Sequence, residues 1–295
     1  MGKIYEALNR DQNAEDVLDL FDEDSEGQEE QEQFAQEPTS ERFSFIRYSL
    51  GTTSLVPRER PAYDLESNAL APRSLTSPGR ELTVAAERLD PHLVAFNSFD
   101  RTASQQYNKL ALSLISKSAE RGSKRVLVAS AGQGDGRTCV TLNLACALAR
   151  ARQRVLVADC DLLNPSIMRT LGLHSEIGMY EAFDQGLPPS ALAVSIRPYG
   201  FNVLPTTRPI ENPAELLAMP GFWKMLQAFD GDHDFILFDS SPLTTGGDSS
   251  LLVRFTDATL LVVRSGHTSS AQMAKAMAPF APEDILGVVI NRMSH

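Results

Sequence analysis

The sequence has few of the residues from which disulfide-rich or metal-centred proteins are built. Its 295 residues include three cysteines, one tryptophan and five histidines. Three cysteines cannot form a disulfide framework, and free thiols are typical of the reducing cytoplasm. The histidines are scattered without the spacing of metal ligands, so we predict no histidine metal site.

Long apolar runs are also missing. An uninterrupted run such as Ala258–Val263 is far too short to cross a bilayer. The N-terminus has no basic segment followed by an apolar core, which a signal peptide requires. We therefore expect a cytoplasmic protein without a membrane span of its own.

The net charge of −11 belongs to the first 40 residues. They hold 13 acidic and two basic residues, whereas residues 41–295 hold 25 of each sign. Nucleic-acid binding needs a basic surface, so a neutral body with an acidic arm predicts no nucleic-acid partner.

Three regions differ in composition. Residues 1–10 space Ile4, Ala7 and Leu8 like one face of a short helix, which would need a surface to dock on. Residues 11–99 are first acidic and Gln-rich, then contain Pro, Ser and Arg without a sustained period, so we predict a disordered linker. Residues 100–295 alternate β-rich and helical segments, which predicts one α/β domain.

Six runs in this last region are mainly apolar instead of alternating. Such strands are buried on both faces, which predicts a parallel sheet with helices on each side. The predicted strands are Arg125–Ala129, Val155–Ala158, Phe201–Leu204, Phe235–Phe238, Ala258–Val263 and Leu286–Ile290. The predicted helices are 103–119, 137–152, 165–172, 213–229, 247–255 and 269–279.

A glycine-rich turn joins the first of these strands to the next helix and predicts a phosphate-binding loop. Its glycines let several backbone N–H groups point at one spot, and the helix adds its positive end. Arg137 can reach terminal phosphates, and the Thr138 hydroxyl stands where a Mg²⁺ ligand is needed. The predicted nucleotide-binding residues are Gly132, Gly134, Asp135, Gly136, Arg137, Thr138 and Cys139. Ala131 and Arg137 replace the glycine and lysine of the usual pattern.

Two further strands end in carboxylates, at Asp159 with Asp161 and at Asp239. Ligands of an open parallel sheet bind at the carboxyl ends of its strands, so these acids should face the loop. Asp239 is placed to hold Mg²⁺, whereas Asp159 could orient an attacking hydroxyl or water, or share the metal.

These three motifs together resemble those of the bacterial tyrosine kinases of capsular and exopolysaccharide synthesis, which are P-loop ATPases related to MinD and ParA. The segments Asn212–Leu217 and Leu286–Asn291 resemble that family too, and Lys3–Leu8 is similar to the opening of its exosortase-linked members. The resemblance implies a P-loop NTPase fold, ATP and Mg²⁺ as cofactors, and transferase activity. It implies catalytic roles for Arg137, Asp159, Asp161 and Asp239, and Mg²⁺ ligation by Thr138, Asp159 and Asp239.

The resemblance also implies a partner. In this family a membrane chain-length-determinant protein, a polysaccharide co-polymerase, binds the kinase domain, so we expect recruitment to the inner face of the membrane. Oligomers are possible. The family's charged assembly motif is replaced here by Gln105, Asn108 and Ala111, which makes its ring assembly less expected.

Two functional hypotheses follow, with a third behind them. In the first hypothesis, the chain is a working tyrosine-kinase-type phosphotransferase, whose acceptor lies on another protein or among Tyr5, Tyr48 and Tyr63. Alternatively, it is a catalytically degenerate nucleotide-binding or scaffold regulator, as Arg137, Leu163 in place of an arginine, and the missing tyrosine-rich tail suggest. A MinD- or ParA-like positioning ATPase is the third, which Gly132 disfavours because that branch has an early loop lysine.

Overall fold

The computed structural model describes residues 45–50, 80–97, 101–122, 124–244, 248–278, 280–281 and 284–293. The docking helix predicted over residues 1–10 lies outside these residues, as does most of the predicted linker.

Nine strands and nine α-helices are found in the described part of the chain. The strands are β1 Phe45–Leu50, β2 Arg80–Thr83, β3 Arg125–Ser130, β4 Val155–Cys160, β5 Val194–Arg197, β6 Phe201–Leu204, β7 Phe235–Ser240, β8 Ala258–Arg264 and β9 Ile285–Met293. The helices are α1 Arg101–Arg121, α2 Arg137–Arg150, α3 Ile167–Thr170, α4 Met179–Asp184, α5 Pro189–Leu192, α6 Pro213–Ala218, α7 Pro220–Gln227, α8 Asp248–Val253 and α9 Ser270–Met277. A short 3-10 helix covers Ala86–Arg88.

The strands form one sheet in the order β1-β9-β8-β3-β7-β4-β6-β5-β2. The four central strands β8, β3, β7 and β4 and their neighbours β9 and β6 run parallel, whereas β1 pairs antiparallel with β9 and β5 pairs antiparallel with β6. A mainly parallel sheet was predicted from the apolar runs, and that prediction is confirmed.

Both faces of the sheet are covered. Val126 and Val128 of β3 belong to one hydrophobic cluster, with side chains of α1 and α2. Leu127 and Ala129 belong to a second cluster on the opposite face, with side chains of α6, α7 and α9. Successive residues of a strand point to opposite faces, so an unbroken apolar strand is what a sheet between two helical layers requires.

Part of the predicted linker belongs to this core. β2 pairs with β5, Leu93 and Ala95 are buried, and the amide of Ala95 donates to Asn143 Oδ1 at 2.7 Å. The prediction of a disordered linker is therefore wrong for residues 80–97, and the strand at Phe45–Leu50 also falls within it. These segments are too short to show a periodic pattern, and the burial of residues 80–97 depends on residues distant in sequence.

One predicted helix is divided. Residues 213–229 form α6 and α7, because Met219 between them is extended and Pro220 begins the second helix. Proline has no N–H to donate within a helix but is well suited to a helix's first turn. The predicted helix over 165–172 is reduced to Ile167–Thr170. None of the described helices has the length and apolar character needed to cross a bilayer.

Candidate functional site

The predicted site residues meet at the carboxyl ends of β3, β4 and β7. β7 lies between β3 and β4, and its register pairs Asp239 with Val128 on one side and with Asp159 on the other. The sheet itself thus brings the two strand-end carboxylates together beside the loop that follows β3. This grouping is the one that the sequence predicted.

Gly136, the last residue of this loop, requires glycine for two reasons. Its φ is 89°, in the left-handed region that side chains disfavour. A Cβ atom there would overlap Asn291 Nδ2, so the Asn291 side chain would have to move. Asn291 comes from the end of β9 and donates to the carbonyl of Asp135 at 2.9 Å. A side chain of β9 therefore fixes the position of the loop through this hydrogen bond.

Asp135 closes the loop from within. Its carboxylate accepts from the Gly132 amide at 2.8 Å and from the Thr268 hydroxyl at 3.0 Å, and the residue is buried. The side chain of this predicted nucleotide-binding residue therefore stabilises the loop. Thr268 was missed by the sequence reasoning, because it follows a different strand and belongs to no motif.

Gly134 lies at the open part of the loop. Its φ is 86°, and a Cβ atom there would meet nothing within 4 Å. The backbone is thus accessible at this residue, as a loop that binds phosphate through N–H groups requires. The first turn of α2 follows directly, with the N–H groups that begin a helix and have no partner inside it.

Thr138, in that first turn, contacts the strand-end acid. Its hydroxyl donates to Asp239 Oδ2 at 2.7 Å and lies 3.1 Å from the Ser166 hydroxyl. A hydroxyl that donates its proton to a carboxylate keeps its lone pairs for a cation. Thr138 and Asp239, two of the three residues predicted as Mg²⁺ ligands, are thus in direct contact.

Arg137 has a different environment from the predicted one. Its side chain is only 8% exposed, and it is hydrogen-bonded to Asp161 Oδ2 at 2.8 Å and to Asp239 Oδ1 at 3.2 Å. It also donates to the Ser130 hydroxyl at 3.0 Å. The sequence predicted a side chain that reaches terminal phosphates, whereas here the guanidinium is paired with acids of the site.

Asp159 is fully buried behind these groups. Its Oδ2 accepts from the amides of Ser166 at 3.1 Å and Ile167 at 3.0 Å, while Oδ1 has no hydrogen-bond partner. Burial, and secondarily the charge of Asp239, raise the pKa of Asp159 well above its usual range. The environment of Asp159 thus disfavours its ionised form.

The other two acids share this tendency in weaker form. Burial raises the pKa of Asp161 and of Asp239, and Arg137 opposes the rise at both. Hydrogen bonds from Thr138 and Thr141 oppose it further at Asp239. Arg137 is therefore the charge that favours ionised acids at this site.

Cys139 is the last of the predicted residues. Its thiol is partly exposed on α2, and burial, together with the nearby Asp90 and Asp239, raises its pKa to about 12. It is therefore a neutral thiol, and only its backbone N–H in the first turn of α2 suits an anion.

The residues present fit a magnesium-bound phosphate group. Thr138 and Asp239 supply adjacent oxygen atoms, and Mg²⁺ commonly takes only one or two protein oxygens, with phosphate and water completing its shell. The open backbone at Gly134 and the unpartnered Oδ1 of Asp159 are further polar groups at this end of the sheet. Within the described residues no three acid, histidine or cysteine side chains form a metal cluster, so a cage made of protein alone is not indicated.

A glycine loop between a central parallel strand and a helix, with an acid at the end of the neighbouring strand, defines a P-loop NTPase. A family model described as "ParA: NUBPL iron-transfer P-loop NTPase" matches residues 122–295, and the chain belongs to this ParA family. Gly132, in place of an early loop lysine, does not exclude it from the family in this broad sense.

Curated relatives within this class are named as kinases. Tyrosine-protein kinase YwqD of Bacillus subtilis is 28% identical over 69% of this chain and 87% of its own length. The putative tyrosine-protein kinase CapB of Staphylococcus aureus is 25% identical over 65% of this chain and 85% of its own. The resemblance to bacterial tyrosine kinases that the motifs predicted is thus confirmed.

A solved structure matches the same fold. The chimerical protein CapA2B2 superposes with a TM-score of 0.65 and 21% identity, over 72% of this chain and 93% of its own. At that level of identity the match supports the P-loop fold predicted from the sequence.

Proposed function

We propose that the chain binds ATP with Mg²⁺ at the loop of residues 131–136 and transfers its terminal phosphoryl group to tyrosine, as a regulator of capsular or exopolysaccharide biosynthesis or export. The observation that carries this proposal is the 2.7 Å contact between Thr138 and Asp239 beside an open glycine loop. The kinase names of YwqD and CapB support the tyrosine specificity.

The roles of the loop follow from its backbone. Gly134, Gly136 and the first turn of α2, including Cys139, would direct N–H groups at the phosphates. Thr138 and Asp239 would hold the metal ion, which when bound neutralises charge on the phosphates. Asp135 supports this surface from inside the protein instead of touching the ligand.

The remaining acids would serve the transfer itself. Asp159 Oδ1 is buried and unpartnered, so it could hold a proton or orient the acceptor hydroxyl. Asp161 is tied to Arg137 and would fix the position of that guanidinium. Burial raises the pKa of Asp159, and a proton held on this carboxyl suits proton exchange better than metal ligation.

The alternative is a regulator that binds nucleotide without transferring phosphate. The specific observation in its favour is Arg137, which is buried against Asp161 and Asp239. The guanidinium of Arg137 must leave Asp161 and Asp239 before it can contact a phosphoryl group during transfer. Both functions require nucleotide binding, so binding and transfer have to be measured separately.

We propose that the protein acts in the cytoplasm, at the inner face of the membrane, where a membrane-bound polysaccharide co-polymerase recruits it. The resemblance of the three motifs to the kinases of capsular and exopolysaccharide synthesis supports this place of action. The segment of residues 1–10 is our candidate for contact with such a partner, because its apolar residues have helical spacing.

Incubation of the protein with radiolabelled ATP and Mg²⁺, followed by phosphoamino-acid analysis, tests the proposal. We expect label on tyrosine, and at least ~10-fold less with Asp239→Asn, which removes a charge at the phosphate end of β7. Asp234→Asn is the matched control, because Asp234 precedes the same strand at its opposite end and pairs with Arg154. Binding of ADP without labelling of tyrosine would favour the regulator, and absence of nucleotide binding would contradict both functions.

A further inference from the structure

Arg137 lies between the two acids that frame the site. Nη2 donates to Asp161 Oδ2 and Nε donates to Asp239 Oδ1, at 2.8 and 3.2 Å. Nη1 donates to the Ser130 hydroxyl, which in turn donates to the carbonyl of Gly132 at 3.0 Å. A single buried cation is thus paired with two carboxylates and oriented by a third group.

Arg137 contacts one carboxylate oxygen of Asp239, which is the expected metal ligand. Asp239 Oδ1 accepts from Arg137 and from the Thr141 hydroxyl at 3.3 Å, while Oδ2 accepts from Thr138. A metal ion at Asp239 would either displace the guanidinium or lie close beside it. Two cations in contact repel strongly where water is scarce, and both arrangements therefore weaken metal binding.

Arginine suits this arrangement in a way that lysine does not. The guanidinium is a planar fork, so its three nitrogens can bond Asp161, Asp239 and Ser130 at the same time. An ammonium group is a compact, strongly hydrated point charge at the end of a flexible chain. Lysine at position 137 would leave at least one of the two acids without a charged hydrogen-bond partner.

We propose that Arg137 is a built-in cation that competes with divalent metal ions for Asp161 and Asp239. The metal affinity of this site is then much lower than it would be with lysine at position 137. Resting on the proposed nucleotide binding, a second consequence follows: nucleotide affinity in this chain depends little on Mg²⁺. Arg137 would thereby determine whether the site distinguishes the Mg²⁺-bound nucleotide from the metal-free nucleotide.

Titration of the full-length protein with Mn²⁺ alone, followed by electron paramagnetic resonance, tests the competition without nucleotide. We expect Arg137→Lys and Arg137→Gln to bind Mn²⁺ at least ~10-fold more tightly than the wild-type protein, because they free buried carboxylate oxygens. Adding Asp239→Asn to Arg137→Lys should abolish the gain. Arg154→Gln is the matched control, since Arg154 pairs with Asp234 at the surface and should leave Mn²⁺ affinity unchanged.

The consequence for nucleotide is measured on the same proteins with fluorescent ADP, in Mg²⁺ or in EDTA. The wild-type affinity should change less than ~3-fold between the two conditions, and that of Arg137→Lys at least ~10-fold. Equal Mn²⁺ affinities in wild type and both variants would overturn the competition. If the wild-type protein binds no nucleotide in either condition, the proposed function fails, while the Mn²⁺ titration still decides the role of Arg137.

Discussion

At the scale of single residues, the phosphate loop depends on glycines that are not equivalent. Gly136 and Gly134 both have positive φ, but only Gly136 has a neighbouring side chain, Asn291, where a Cβ would be placed. Substitutions at these two glycines therefore distinguish the energetic cost of backbone strain, which both share, from the cost of steric overlap, which arises only at Gly136.

Gly136→Ala should destabilise the protein more than Gly134→Ala. The strained φ costs about 1 kcal/mol in either variant, and moving Asn291 away from Gly136 would also break its hydrogen bond to Asp135, which costs about 1 kcal/mol more. Urea unfolding of the two variants measures the difference. Equal unfolding midpoints would mean that Asn291 does not press on the loop.

Asp159 gives stability a defined dependence on pH. Its folded pKa is raised from 3.8, so the folded state binds this proton more tightly than the unfolded state. The carboxyl's contribution therefore weakens as pH rises above the unfolded value and continues to do so up to the folded pKa. Asp159→Asn should remove this loss, so the variant gains stability relative to wild type as pH rises above 3.8.

The control for this measurement is Asp234→Asn. Arg154 lowers the pKa of Asp234, so that acid's contribution to stability changes only as pH falls through the acid range. The difference between Asp234→Asn and wild type should thus stay constant at pH values well above 3.8. If Asp159→Asn behaves the same way, Asp159 is ionised in the folded protein.

At the scale of elements, the segment of residues 80–97 is part of the domain. Leu93 is fully buried in the cluster that contains α1 and α2, and Asn143 of α2 bonds the backbone at His92 and Ala95. The segment therefore covers one side of α2, the helix that begins at the phosphate loop.

Leu93→Ala should lower the free energy of unfolding by about 2–5 kcal/mol, because it removes buried methyl groups and leaves a cavity. Leu112→Ala is the matched control: Leu112 is 63% exposed on α1, and its replacement should change stability by at most about 0.5 kcal/mol. Denaturant unfolding of both variants measures the contrast. Similar losses in the two would place residues 80–97 outside the cooperative unit.

The sequence predicted the central elements because each has a complete local signal. The inner strands are apolar throughout, and the loop and the strand-end acids Asp159 and Asp239 follow from their places after those strands. The short strands β2 and β5 carry no such signal, since β2 alternates half-buried and exposed residues at the sheet edge. Likewise, no local pattern reveals that Ala111, one of the replaced assembly-motif positions, is buried in the core.

The site could be predicted in position but not in contacts. A strand-end acid and a glycine loop are local features, whereas the partners of Arg137 depend on a side-chain conformation chosen by three elements together. Thr268 and Asn291 reach the loop from beyond β8 and from β9, more than a hundred residues later. Long-range contacts of this kind are fixed by packing and have no signature in sequence.

At the scale of the whole molecule, the net negative charge and the candidate functional site lie in different parts of the chain. The first 40 residues hold the net charge of −11, while the site belongs to the neutral remainder. An anionic membrane surface would repel an acidic segment, so we expect residues 2–10 to bind a protein instead of lipid.

Deletion of residues 1–40 should leave ADP affinity within ~2-fold of the full-length value and reduce the share of protein that sediments with membranes. Deletion of residues 2–10 alone is the informative companion, because it keeps nearly all the acidic residues. The same loss of membrane association in both deletions would assign recruitment to the short apolar segment. Loss of ADP binding would instead make the arm part of the nucleotide site.

The hydrogen bond between Asn291 and the loop implies an order in which parts of the domain fold during synthesis. The amide of Asn291 reaches the carbonyl of Asp135, about half the chain earlier, and packs where any side chain at Gly136 would lie. A nascent chain thus completes β3 and α2 well before the strand that holds their connecting loop has left the ribosome. The loop should therefore reach its final conformation late, and the proposed phosphate binding would begin only after β9 has been added.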